Sequence, residues 1–140
     1  MEKTFKLFHY ASFLQYPNLA MALYYCYRPL FTGFESMVSD YSNGLLFLGI
    51  GLSFTSLTDL SKRTKIGDFV FGKKKRAMRW LIYVCVLVIT IFGIGILLHF
   101  FSPKEDLKQL STGVFVLGIG VLGLLRMNLE VIKNYEKEWD

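Results

Sequence analysis

Charge is scarce in this chain, and so are cysteine and proline: its 140 residues include 19% charged side chains, two cysteines and three prolines. Soluble domains carry about 25% charged residues. Here 53% of residues are hydrophobic and the mean hydropathy is +0.39, so water is not the main solvent of the fold. That apolarity excludes intrinsic disorder, and the glycine and proline content excludes a collagen-like chain. Two cysteines cannot staple a disulfide-rich secreted fold. The sequence also lacks a nucleophile–base pair, a carboxylate dyad, a cofactor fingerprint, and the HxxxH, CxxC or Glu-x-x-His spacings of metal sites. No enzyme activity, metal or cofactor is expected from it.

What is present is a set of long uncharged runs. The clearest, over 80–101, reads WLIYVCVLVITIFGIGILLHFF; a helix of about 20 residues at about 1.5 Å each crosses a hydrocarbon core of about 30 Å. Two more runs, over 42–60 and 108–126, reach the ionisable residues Asp59 and Arg126. A fourth, over 7–27, contains Gln15, Pro17 and Asn18 near its middle. The expected fold is an all-α integral membrane protein of four transmembrane helices, with a basic loop over 61–79 and a helical tail over 127–140. Lys3 and Lys6 imitate the start of a signal peptide. No small-x-small cleavage site follows them, so the first span is expected to stay attached.

Lys and Arg near span ends set orientation. Thirteen of them fall on the side of the N-terminus, the 61–79 loop and the tail, against Arg28, Lys104 and Lys108 on the other. The expected arrangement is a multi-pass protein of the cytoplasmic (inner) membrane with both termini in the cytoplasm. Cys26 and Cys85 then sit at opposite membrane surfaces, beyond the reach of roughly 7 Å that a disulfide requires, and are expected to be free and buried. Between the first two spans, residues 29–43 carry Leu30, Phe34, Met37, Val38 and Tyr41 at helical spacing. Glu35, Ser36, Ser39 and Asp40 fall elsewhere on that wheel, which predicts a short interfacial helix in the outer headgroups.

An internal repeat stands out at an offset of 69, where SNGLLFLGIGL from Ser42 matches STGVFVLGIGV from Ser111. It admits two readings: duplication of a helical hairpin in parallel orientation, or convergent use of Gly, Leu and Ile in membrane helices. Gly-Ile-Gly occurs a third time at Gly93 and Gly95. Small residues let helix backbones approach closely in lipid, so Gly49, Gly51, Ser53, Gly93, Gly95, Gly118, Gly120 and Gly123 are expected at helix contacts, within one subunit or between subunits.

Polar groups at membrane depth need a partner or water. Ser12, Gln15 and Asn18 step by three residues along one side of the first span. They form either a polar path or ligand face, or hydrogen-bonding glue between helices. Asp59 is open to three readings: an ion pair with Arg126, a plain interfacial carboxylate, or a coupling site. No carboxylate lies inside the first span, which argues against proton-driven export. Lys73, Lys74, Lys75, Arg76 and Arg79 abut the third span and would attract anionic lipid at about 1 kcal/mol per charge. Nucleic acid is not an expected partner, since no base-stacking platform accompanies the run. Two functions fit. One is a non-catalytic accessory, assembly or signalling subunit whose partners are the lipid bilayer and other membrane chains. The other is a homo-oligomeric channel lined by the polar face of the first span.

Overall fold

The computed structural model describes residues 6–7, 10–57, 65–136 and 139, with 65 and 66 described by their backbone alone. The described residues are helical, with no strand among them. Five α-helices carry the fold: α1 (Gln15–Thr32), α2 (Met37–Thr55), α3 (Lys65–Phe71), α4 (Lys74–Phe101) and α5 (Glu105–Glu136). Of these, α4 and α5 are long and apolar enough to cross a membrane.

The first expected span is not one helix. Proline has no N–H, so Pro17 leaves the carbonyl of Phe13 without its usual helical donor. The amide of Tyr16 takes that place, 3.2 Å from the Phe13 oxygen, and tight turns at Phe13 and Leu14 precede α1. Nor is there a separate interfacial helix over 29–43. Helix α1 runs through Pro29 to Thr32 and ends at Gly33, whose φ of +93° places it where only glycine is comfortable. A 3-10 turn, Phe34–Ser36, then leads directly into α2.

Packing joins α1 to α2, α2 to α5 and α5 to α4, while α1 and α4 form no substantial contact with each other. The four long helices therefore stand in an open row, ordered α1, α2, α5, α4. Direction follows from which residues meet. Ser42 reaches Gln109, Gly49 meets Val116, and Gly123 meets Ser53 and Ser56, so α2 and α5 run parallel. Both flanking helices are antiparallel to their inner neighbours. Only 17% of the most apolar stretch of α4 is buried inside the chain, against 33% for α5, as befits a flank and an inner position.

The offset-69 segments thus lie side by side, and equivalent residues point the same way along the row. Gly44 and Gly51 face α1, whereas their counterparts Gly113 and Gly120 face α2; Gly49 faces α5, whereas Gly118 faces α4. A duplicated hairpin with its packing kept would have α2 meet α1 through the residues by which α5 meets α4, whereas here α2 uses Gly44 and Gly51 and α5 uses Gly118. The repeat is one of helix surfaces, used head to tail.

Two apolar clusters hold the α4–α5 side. Val84, Val88 and Val121 form one, with Leu52 of α2 against it. At the far end Phe71, Ala77, Ile132 and Tyr135 form the other and dock α3 onto α4 and α5. The Tyr135 hydroxyl donates to Asp68 at 2.5 Å and the Trp139 indole donates to the Phe71 carbonyl at 3.1 Å. A hydrogen bond to a charged group contributes about 1.5 kcal/mol or more. Tyr135→Phe is therefore expected to speed hydrogen exchange of the α3 amides about tenfold, leaving α2 unaffected. Unchanged exchange in α3 would mean that the apolar cluster alone holds it.

Candidate functional site

Among the described residues, the chemistry-bearing side chains lie along the helix seams and at the two ends of the row. At one end Asp40 sits in the first turn of α2 and is 2% exposed. The guanidinium of Arg28, on α1, donates to its Oδ1 at 3.1 Å, and the Ser36 hydroxyl donates to Oδ2 at 2.8 Å. The sequence put Asp40 off the apolar stripe of an interfacial helix; in the structure it belongs to α2, and its carboxylate turns inward to Arg28 between α1 and α2.

Beside this pair in the row, the buried Ser42 hydroxyl donates to the Gln109 carbonyl at 2.8 Å, tying α2 to the start of α5. Its repeat counterpart, Ser111, is fully buried, donates to the Lys108 carbonyl at 2.7 Å, and lies 3.4 Å from His99 Nδ1 on α4. These hydroxyls join helices in the same head-to-tail sense as the glycines.

The polar residues of the first span also turn inward. Gln15 Oε1 accepts from the Thr55 hydroxyl of α2 at 2.8 Å, and Asn18 Nδ2 donates to the Leu14 carbonyl at 2.7 Å while its Cβ borders Gly51. Ser12 is buried. Gln15 thus bonds across the α1–α2 seam, while the Asn18 amide is satisfied by Leu14 at the start of α1 and only its Cβ reaches the seam. The double change Gln15→Leu with Asn18→Leu is expected to lower stability by about 1 kcal/mol per residue and to leave partner binding intact. Loss of binding with unchanged stability would restore a ligand face.

Two of the glycines expected at contacts, Gly49 and Gly120, are pressed on backbone that leaves no room for a side chain, and Gly51, Gly95, Gly118 and Gly123 fit closely against neighbouring side chains. A Cβ on Gly49 would fall 2.4 Å from the Val116 carbonyl oxygen, and one on Gly120 would fall 2.4 Å from that of Gly49. On α5, Gly118 lies against Phe92 and Gly123 against Ser56; on α4, Gly95 lies against Phe115. Ser53 donates to the Gly49 carbonyl at 2.9 Å, satisfying its hydroxyl within α2. Gly93 differs, since a Cβ there would meet nothing within 4 Å. Gly44 and Gly113 line seams too, though only Gly51 and Gly120, seven residues further along the same faces, stood out in the sequence.

Asp59 lies outside the described residues, and its expected pairing with Arg126 lies outside with it. Arg126 itself is 3.5 Å from Glu130, one turn on, with both side chains exposed. Lys74, Lys75, Arg76 and Arg79 are not loop residues but form the first turns of α4, with Lys73 just before it. Arg76 donates to the Phe69 carbonyl at 2.9 Å and lies over the Phe69 ring, which ties it to α3. Lys73, Lys74, Lys75 and Arg79 remain exposed. Both cysteines are free, as expected, but neither is buried: Cys26 is exposed and Cys85 half-buried. Among the described residues, no three His, Cys, Asp or Glu are grouped to hold a metal ion.

Among the described residues, one buried side-chain polar atom lacks a partner: Asn128 Nδ2, in the stretch of α5 between Leu125 and Ile132. Its position corresponds to Asp59 in the offset-69 repeat. No family model, curated protein or solved structure matches the chain. The assignment of function therefore rests on the geometry alone.

Proposed function

We propose that the chain is a non-catalytic subunit of a membrane assembly, held in the bilayer by all four long helices and acting through helix–helix contacts. One observation carries this reading. Gln15 of α1 is bonded across the α1–α2 seam, while the outward sides of the flanking helices are apolar and bare, with Leu23 of α1 60% exposed and Ile89 of α4 72% exposed. A row built this way offers contact surface and no polar path. Helices α1 and α2 are about 27 Å and 28 Å long at 1.5 Å per residue, close to the hydrocarbon thickness, and they stand in the same layer as α4 and α5. Gln15, Asp40, Ser42 and Thr55 find partners inside that layer, which is what lipid demands of polar groups. The Lys and Arg asymmetry favours cytoplasmic placement of the Tyr135 end and of both termini, in a cytoplasmic (inner) membrane. The exposed lysines at the start of α4 would then rest on anionic headgroups.

Native mass spectrometry of the protein released gently from its own membrane tests the reading. Stoichiometric foreign chains released with it are the expected result. A closed homo-oligomer with no other chain, passing ions in protein-only liposomes, would overturn it in favour of a channel.

A further inference from the structure

Three helices of the row carry Gly-Ile-Gly, and two of them use it alike. In α2 and in α5 the second glycine (Gly51, Gly120) receives the helix before it in the row and the first (Gly49, Gly118) receives the helix after it. In α4 the second glycine, Gly95, receives Phe115 of α5, its inner neighbour, but the first, Gly93, has nothing within 4 Å of its Cβ position. The device is complete in two helices and half-filled in the third. Around Gly93, at steps of four and seven along the same face, stand the exposed side chains of Val86, Ile89, Leu97 and Phe100.

The opposite flank is shaped the other way. Helix α1 has no Gly-Ile-Gly, and its outward face steps through Tyr16, Ala20, Tyr24, Tyr27 and Phe31, all exposed. Aromatic rings already fill glycine hollows inside the chain, Phe92 on Gly118 and Phe115 on Gly95. The two flanking helices also run in the same direction, so two copies with one membrane orientation would bring α4 and α1 together in parallel, as α2 and α5 meet within the chain.

We propose that a second copy of this chain docks head to tail, the aromatic face of its α1 seated on the Gly93 face of α4, continuing the row from copy to copy. Such a heterologous contact closes into a ring where its rotation allows. Heights agree across the row. Gly51 lies beside Leu19, Gly49 beside Val116, and Phe115 beside Gly95, which puts Ala20 and Gly93 at about the same level.

The test uses whole membranes and a background carrying Cys26→Ser and Cys85→Ser. With Ala20→Cys and Gly93→Cys together, mild oxidation is expected to give a ladder of covalent multimers, and either change alone is expected to leave monomer. A covalent dimer from Gly93→Cys alone would overturn the proposal in favour of a two-fold α4 contact, and absence of the ladder would overturn it outright. In the natural background, Gly93→Leu is expected to shift the native mass to monomer with helix content and unfolding unchanged; an unchanged oligomer overturns the proposal. The docking rests on the membrane-spanning reading, which alkaline carbonate extraction of the same membranes checks separately. Chain released by carbonate means that reading has failed, whereas chain retained without a ladder means that only the docking has. An oligomer that carries no foreign chain would sink the accessory function and leave the docking standing.

Discussion

Gly49→Ala is expected to destabilise the chain by about 3 kcal/mol, the upper part of the usual overpacking range. The added methyl would stand 2.4 Å from the Val116 carbonyl oxygen and 2.6 Å from the Leu117 amide nitrogen. Those atoms belong to a helix backbone and cannot swing aside as a side-chain tip could, so α2 and α5 must separate. Their seam also holds Gly120 and Gly113, each with a backbone carbonyl within 2.5 Å of its Cβ position, so separation is felt along the whole contact. Gly93→Ala is the control and is expected to change stability by no more than about 0.5 kcal/mol, because nothing lies near that position. Denaturant titration followed by circular dichroism in mild detergent compares the two, and equal stabilities would show that the α2–α5 approach is looser than described. Gly49→Ala combined with Gly120→Ala should fall short of additivity by at least about 0.5 kcal/mol, since room made for one methyl already serves the other.

Arg28→Met is expected to cost about 3 kcal/mol, the low end of the range for orphaning one member of a buried ion pair. The low end applies because the Arg28 side chain is 41% exposed and screened by its surroundings, while that of Asp40 is 3% exposed. After the change only Ser36 is left to face the Asp40 carboxylate. The reverse substitution, Asp40→Asn, should be milder, about 1 kcal/mol, since the remaining guanidinium can turn outward. Joining Arg28→Met to Asp40→Leu should recover part of the loss, because no charge is then stranded. The same titration ranks the three variants. If Asp40→Asn proves as damaging as Arg28→Met, the carboxylate supports more than this pair.

The sequence alone showed the helical, apolar character of the chain and the glycine repeat, and most of the glycines it singled out do lie in seams. It did not show which seam each occupies. Gly49 and Gly93 begin the same tripeptide, yet one is pressed on a backbone and the other is bare. For Gln15 and Asn18 the sequence offered both a path and glue between helices, with glue preferred, and it did not name Thr55 and Gly51 as their neighbours. The helix expected over 29–43 carried helical spacing across Gly33. The positive φ at Gly33 ends α1 there, and a glycine between two apolar helical patterns was the available signal. The burial of Asp40 follows instead from Arg28 of α1 standing beside it. Pro17 likewise marked the break ahead of α1. The unpartnered amide of Asn128 had no such signal, since its burial depends on how α5 lies against its neighbours.

Composition and hydropathy by themselves determined that this chain is helical and that the stretches forming α4 and α5 can cross a membrane, because both are sums over local residue chemistry. They could not do the same for α1 and α2, whose Asn, Gln, Ser and Asp lower the average until their partners are known. Only the tertiary structure decided the order of the row, the inward turn of Gln15 and Asp40, and the open space at Gly93. Those depend on steric fit and hydrogen bonding between residues far apart in the chain, as Ser42 with Gln109 or Gly49 with Val116. No local average contains such pairings.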